Sequence, residues 1–128
     1  MSQVLRFPNR IAETLAGDFF VHRGEEGDLL WIQPGSSFPD GRPLLFLLQR
    51  LQDGKLRIDD RGETSRYLSP SIVETPFGRV RLDRALEAFH VFRDDWEHRL
   101  FLVTTQNELP KSVHQLRRAV ESVLQQFA

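Results

Sequence analysis

Leu44-Leu45-Phe46-Leu47-Leu48-Gln49-Arg50-Leu51-Gln52-Asp53-Gly54-Lys55-Leu56-Arg57-Ile58-Asp59 is the stretch on which the architecture turns. Its first eight residues form the most apolar run in the chain, and that length suits a strand buried on both faces in the middle of a sheet. Asp53-Gly54 follows, a strong hairpin signal, because glycine accepts the left-handed backbone that a tight turn demands. Leu56-Arg57-Ile58-Asp59 then alternates, so Leu56 and Ile58 face inward together. The stretch therefore predicts an antiparallel strand pair deep in a sheet.

Working upstream, Pro34-Gly35-Ser36-Ser37-Phe38-Pro39-Asp40-Gly41 is punctuation rather than regular structure, and Pro43 ends it. Before it, Asp18–His22 and Leu29–Gln33 read as a hairpin around a glycine-flanked polar turn. Pro8–Ala16 reads as a short helix, with Pro8 in its first turn and Gly17 at its C-cap.

Working downstream, Thr64 is placed to cap a brief helix that Pro70 interrupts. Ile72–Thr75, Pro76-Phe77-Gly78 and Arg79–Leu82 read as strand, turn and strand. Leu86–Phe92 fits helix or strand, and its aromatic and branched content leans to strand. A charged turn, Arg93–His98, precedes a last strand at Leu100–Thr105. From Pro110 to Phe127, Val113, Leu116, Val120, Val123, Leu124 and Phe127 recur at helical spacing. The expectation is one α+β domain over residues 1–128. Its sheet is mostly antiparallel, with a short N-terminal helix and a long C-terminal amphipathic helix packed on it.

Composition narrows the function. The 128 residues are 40% apolar and 27% charged, as in ordinary globular proteins. There is no cysteine, which removes disulfides, thiolate zinc sites and cysteine nucleophiles. The net charge of −1 supplies no global field to attract nucleic acid or an anionic membrane. Of 17 basic residues only Lys55 and Lys111 are lysine, yet the arginines are spread along the chain rather than gathered in one segment. No apolar run approaches bilayer length, and Met1–Arg6 lacks the apolar core of a signal peptide, so a cytoplasmic protein without membrane contact is expected.

Three constellations are candidates for chemistry. Asp59, Asp60 and Glu63 surround one bend with Lys55, Arg57 and Arg61. Carboxylate oxygens suit a hard cation, and Asp53, Lys55, Asp59 and Asp60 would be the parts of a metal-dependent nuclease. The same residues close turns and cap helices without any metal, and the interspersed cations can neutralise them. His90, Asp94, Asp95 and His98 are zinc-compatible types, but no group to orient the imidazoles is identifiable. Arg79, Arg81 and Arg84 would form a basic sheet face if that segment were a strand, and they are the candidate contacts for nucleic acid. No nucleophile elbow, phosphate loop, dinucleotide fingerprint or metalloprotease motif is present, so no catalytic residue, metal or cofactor is assigned and the reading leans against an enzyme.

Pro39-Asp40-Gly41, Leu44–Leu51, Asp53-Gly54, Leu56–Ile58 and Asp59-Asp60-Arg61-Gly62-Glu63-Thr64 with Leu68 together carry a family pattern. From about Ile32 to Leu68 the chain resembles the bacterial and phage family called domain of unknown function 1828. Its pattern is a Pro-Asp-Gly loop, a hydrophobic strand, a glycine turn, a strand, Asp-Asp-Gly-Glu-Thr and a leucine. Arg61 is one residue more than the acidic turn of that pattern holds. The resemblance implies a small protein of phages or mobile elements. The expected function is accordingly non-enzymatic protein binding, as in inhibitors of bacterial defence systems of the anti-CRISPR type or in immunity proteins. Asp59, Asp60, Arg61 and Glu63 would steer the partner and Phe38 would be the exposed anchor. A nuclease or a nucleic-acid-binding regulator is the alternative, and homodimerisation fits either.

Overall fold

The computed structural model describes Leu15, residues 19–23 and residues 29–128. Strand β1 (Phe20–Arg23) pairs antiparallel with β2 (Leu29–Gln33), setting Val21 opposite Ile32 and His22 opposite Trp31. The apolar run becomes β3 (Phe46–Arg50) and the alternating tetrapeptide becomes β4 (Leu56–Asp59). Gly54 joins them at φ +84°, with the Leu51 amide donating to the Lys55 carbonyl at 2.8 Å. Phe46, Leu47 and Leu48 are all buried, as the two-sided apolar run requires.

Beyond β4 the chain makes an excursion of short helices and returns through β5 (Phe92–Arg93) and β6 (Leu100–Thr104). The result is one six-stranded antiparallel sheet in the order β1-β2-β3-β4-β6-β5. The fold is α+β, and among the described residues no helix is long and apolar enough to cross a membrane.

After β4 the described helices, in chain order, are α1 (Pro70–Val73), α2 (Pro76–Glu87) and α3 (Leu109–Phe127). Helix α3 buries Leu109, Val113, Leu116, Val120, Val123 and Phe127, a continuous stripe at alternating steps of four and three. That stripe covers the sheet face formed by Leu30, Ile32, Phe46, Leu48, Leu56, Ile58, Leu100 and Leu102. Each fully buried leucine or valine there stabilises the fold by about 1.5–3 kcal/mol. A buried polar pair, Ser112 Oγ donating to Thr104 Oγ1 at 2.7 Å, fixes α3 against β6.

The strand–turn–strand expected over residues 72–82 is helix instead. Pro70 and Pro76 stand at the first positions of α1 and α2, where the missing N–H costs nothing. Thr75 caps α2 by accepting from the Gly78 amide at 2.9 Å. Gly78, Leu82 and Leu86 then recur at helical spacing on the buried side. The expected strand at 86–92 shrinks to β5, because α2 runs to Glu87 and a turn intervenes. Thr64 is not a cap either. It lies buried inside a single 3-10 turn, Thr64–Tyr67. The expected helix Pro8–Ala16 lies outside the described residues except for Leu15, which is helical and buried.

Candidate functional site

Helix α3 covers one face of the sheet, and the other carries the exposed side chains of Phe20, Phe92 and Val103. Strand pairing sets the composition of that open face directly. His22 pairs with Trp31, Trp31 with Leu47, Leu47 with Asp59, Asp59 with Phe101, and Phe101 with Phe92, so one row of side chains crosses all six strands. A second row runs Leu29, Gln49, Arg57, Val103. Phe20 extends the face on β1, in ring contact with His22. Phe20 is 72% exposed, Phe92 62% and Val103 46%, which is unusual for large apolar side chains gathered on one surface.

Arginines lie over the aromatic rings of this face. The Arg61 guanidinium sits 4.6 Å from the Trp31 ring centroid and that of Arg57 sits 4.3 Å from Phe101. Both are cation–π distances. Asp59 anchors the Arg61 backbone and the Arg57 side chain. It is fully buried, accepts from the Arg61 amide at 2.7 Å, and forms ion pairs with Arg57 Nε at 3.7 Å and Arg99 Nη1 at 3.4 Å. A shallow cleft of about 360 Å³ opens beside Arg61, lined by His22, Trp31, Gln33 and Leu45.

The turn between β5 and β6 borders the same surface. Arg57 Nη2 reaches Asp94 at 3.6 Å and Arg99 pairs with Glu97. The Glu97 amide donates to Asp94 at 2.6 Å and, with Arg57, keeps that carboxyl below its ordinary range. Trp96 at the tip of the turn is 91% exposed.

Asp60, next to Asp59, points elsewhere and does a different job. Its Oδ1 accepts from the Gly62 and Leu100 amides, both at 2.8 Å, and its Oδ2 from the Thr64 amide at 3.3 Å. The carboxylate thus clamps the bend after β4 onto β6. Burial pushes its pKa up, and the hydrogen bonds from Thr64, Leu100 and Gly62 only partly oppose that. Arg61 and Gly62 make the bend with consecutive positive φ values of 62° and 75°. The backbone turns left-handed there and the Arg61 side chain lies on Trp31.

The expected exposed anchor is not exposed. Phe38 is 7% accessible and stacks on Tyr67 at 4.5 Å, with the Arg42 guanidinium over both rings. The 34–43 loop curls on itself, the Phe38 amide donating to the Arg42 carbonyl at 2.8 Å, and that buries the ring. Glu63 joins this cluster through Arg42 at 3.5 Å and Arg66 at 3.6 Å. Asp40 belongs to it as well, and the Tyr67 hydroxyl, bonded to it at 2.7 Å, lowers its pKa. Of the five residues expected to meet a partner, Asp59 and Arg61 share the open face. Phe38 and Glu63 share the Arg42 cluster, and Asp60 is internal.

The basic strand face expected at Arg79, Arg81 and Arg84 does not form, because those residues lie on α2, where positions two apart point to nearly opposite sides. Arg79 donates to the Val73 carbonyl at 3.1 Å and Arg81 lies over Phe127. His90, Asp94, Asp95 and His98 do not gather either. Asp95 is held by Arg93 at 2.7 Å, and no group of three metal-ligating side chains occurs among the described residues. Sequence reasoning passed over Trp31, Phe92 and Phe101 as functional residues. The signal was available for Trp31: Leu30 and Ile32 point inward, so the residue between them points out.

A family model described as domain of unknown function DUF1828 matches residues 36–123, more than half of the chain. The chain belongs to this family. The DUF1828 match begins in the loop before β3 and ends within α3, so it contains Asp59, Arg61, Phe92 and Phe101 of the open face. Phe20, His22 and Trp31, on β1 and β2, lie ahead of it. Searches of curated proteins and of solved structures returned no match to this DUF1828 chain.

Proposed function

We propose that this DUF1828 protein works by binding a protein partner against the open face of its sheet. In that reading it is an accessory protein of a phage or mobile element, and it inhibits or neutralises the partner by covering it, as defence-system inhibitors and immunity proteins do. The observation that carries the proposal is the row Trp31, Leu47, Asp59, Phe101, Phe92 across the sheet, aromatic on either side of the buried Leu47 and Asp59 and flanked by exposed Phe20, Val103 and Trp96. Aromatic side chains interleaved with arginine are the composition of energetic centres in protein interfaces. The charge on the face favours a protein over a polyanion. Arg57 and Arg99 are matched by Asp59, Asp94 and Glu97, so these two would release few counterions on binding nucleic acid. In this reading the exposed Arg61 meets the partner itself, and the buried Asp59 acts by orienting Arg57 and Arg99.

One observation keeps a nucleic-acid reading in view. Arginine lying on an aromatic ring of an open sheet also describes a stacking platform for unpaired bases. Nothing favours a metal-dependent nuclease, since the oxygens of Asp60 are taken up by backbone amides and those of Asp59 by arginines.

The test is affinity capture from the native host with the wild type, Phe92→Glu, and Phe77→Glu as the control. Phe77 is 75% exposed on α2, away from the open face. The expected result is one protein retained by wild type and the control and lost by Phe92→Glu. Equal retention by all three would overturn the assignment of this face. Retention of nucleic acid with a steep loss at raised salt would replace the partner class.

A further inference from the structure

A second surface, built from different elements, has the chemistry of an anion site. The connection after α2 and the first half of α3 enclose a cleft of about 610 Å³. His90, Lys111, His114 and Arg118 line it, and among the described residues no carboxylate does. Lys111, His114 and Arg118 stand at spacings of three and four along α3, so their side chains form one stripe on the helix. None of the four is ion-paired with a carboxylate among the described residues, although the chain as a whole has a net charge of −1.

The walls are held in place. The Gln115 side-chain amide donates to the Phe89 carbonyl and ties the connection to α3. Arg118 lies over the Phe89 ring at 6.0 Å, and His114 meets the Phe19 ring at a tilt, 4.9 Å between centroids. His90 is held in the left-handed region at φ +55°, a conformation that is uncommon for a non-glycine residue and that recurs at ligand sites. Two permanent cations and two imidazoles around a partly aromatic wall suit a group with several anionic oxygens, and the volume lies within the ordinary range for small-molecule sites.

We infer that this cleft binds a small phosphate-bearing molecule, its phosphate held by Lys111 and Arg118 and its organic part against Phe89. The site is distinct from the open sheet face, so the protein would carry a ligand-responsive surface beside its partner-binding one.

Isothermal titration of the full chain with inorganic pyrophosphate at low salt tests this. Saturable one-to-one binding is expected, weakened about tenfold or more in a Lys111→Ala, Arg118→Ala double variant and unchanged in Arg79→Ala, Arg84→Ala. Lys111 and Arg118 are both exposed, so the first variant should keep its thermal midpoint. Absence of saturable binding, or equal weakening in both variants, would overturn the assignment.

Discussion

Asp60 is the residue on which the bend depends. Removing its carboxylate leaves the amides of Gly62, Thr64 and Leu100 without their acceptor, and a buried donor left unpaired costs about 1–3 kcal/mol. Asp60→Ala should therefore lower stability by about 3 kcal/mol or more in urea titration. Its pH dependence runs against the usual carboxylate. Burial raises the folded value above 3.8, so the folded state binds the proton more tightly than the unfolded chain. Stability from this group is fully present below 3.8 and falls as pH climbs to the raised folded value. The advantage of wild type over Asp60→Ala should shrink across that window and stay level above it. Asp40 has the opposite sign: its folded value lies below 3.8, so its contribution holds above that pH and is lost on acidification. Gly62 allows a second check. A Cβ there would come within 2.9 Å of the Glu97 carbonyl at a φ of +75°, and Gly62→Ala should cost about 1–3 kcal/mol, read from the same titration. The acid cluster was legible as a turn, since Asp-Asp-x-Gly names one. Which groups the two buried acids hold was not, because Asp60 reaches β6, forty residues further on.

At the scale of elements, α1 against α2 is the contact most sensitive to volume. A Cβ on Gly78 would fall 2.1 Å from the Ser71 carbonyl and 2.5 Å from the Ile72 Cα, both backbone. Helix propensity alone would favour alanine by about 1 kcal/mol. The clash outweighs it, and Gly78→Ala should destabilise by about 2 kcal/mol or more by thermal unfolding. A gain in stability would contradict the close approach. The strands were readable because alternation and Asp-Gly are local signals, and α3 because its stripe is long. Helices α1 and α2 were not, because Ile72, Val73 and Val80 favour strands and Pro76-Phe77-Gly78 resembles a turn. What decided was the Thr75 cap and the proline positions, which mean helix start only once the residues after them repeat at helical spacing. Phe38 was misjudged for a related reason: a loop rich in proline and glycine reads as exposed, but Tyr67 supplies a stacking partner twenty-nine residues later.

At the scale of the whole molecule, the antiparallel sheet with one covering helix followed from the order of elements, whereas the open face did not. Each of its aromatics, taken alone, reads as core, and only the six-strand register aligns them into one surface. Arg61→Ala tests how that surface behaves in the free protein. The guanidinium shelters the Trp31 ring, and without it self-association should rise with concentration in sedimentation velocity, with little change in the unfolding midpoint. An unchanged sedimentation profile would show that the ring needs no such cover. Because Arg57 and Arg61 lie on the very rings an incoming molecule would seek, the chain brings its own competitor to the encounter. A tight complex then requires a visitor that either displaces these planar cations or stacks upon them, which discriminates against greasy surfaces that offer neither an acceptor nor a flat face in return.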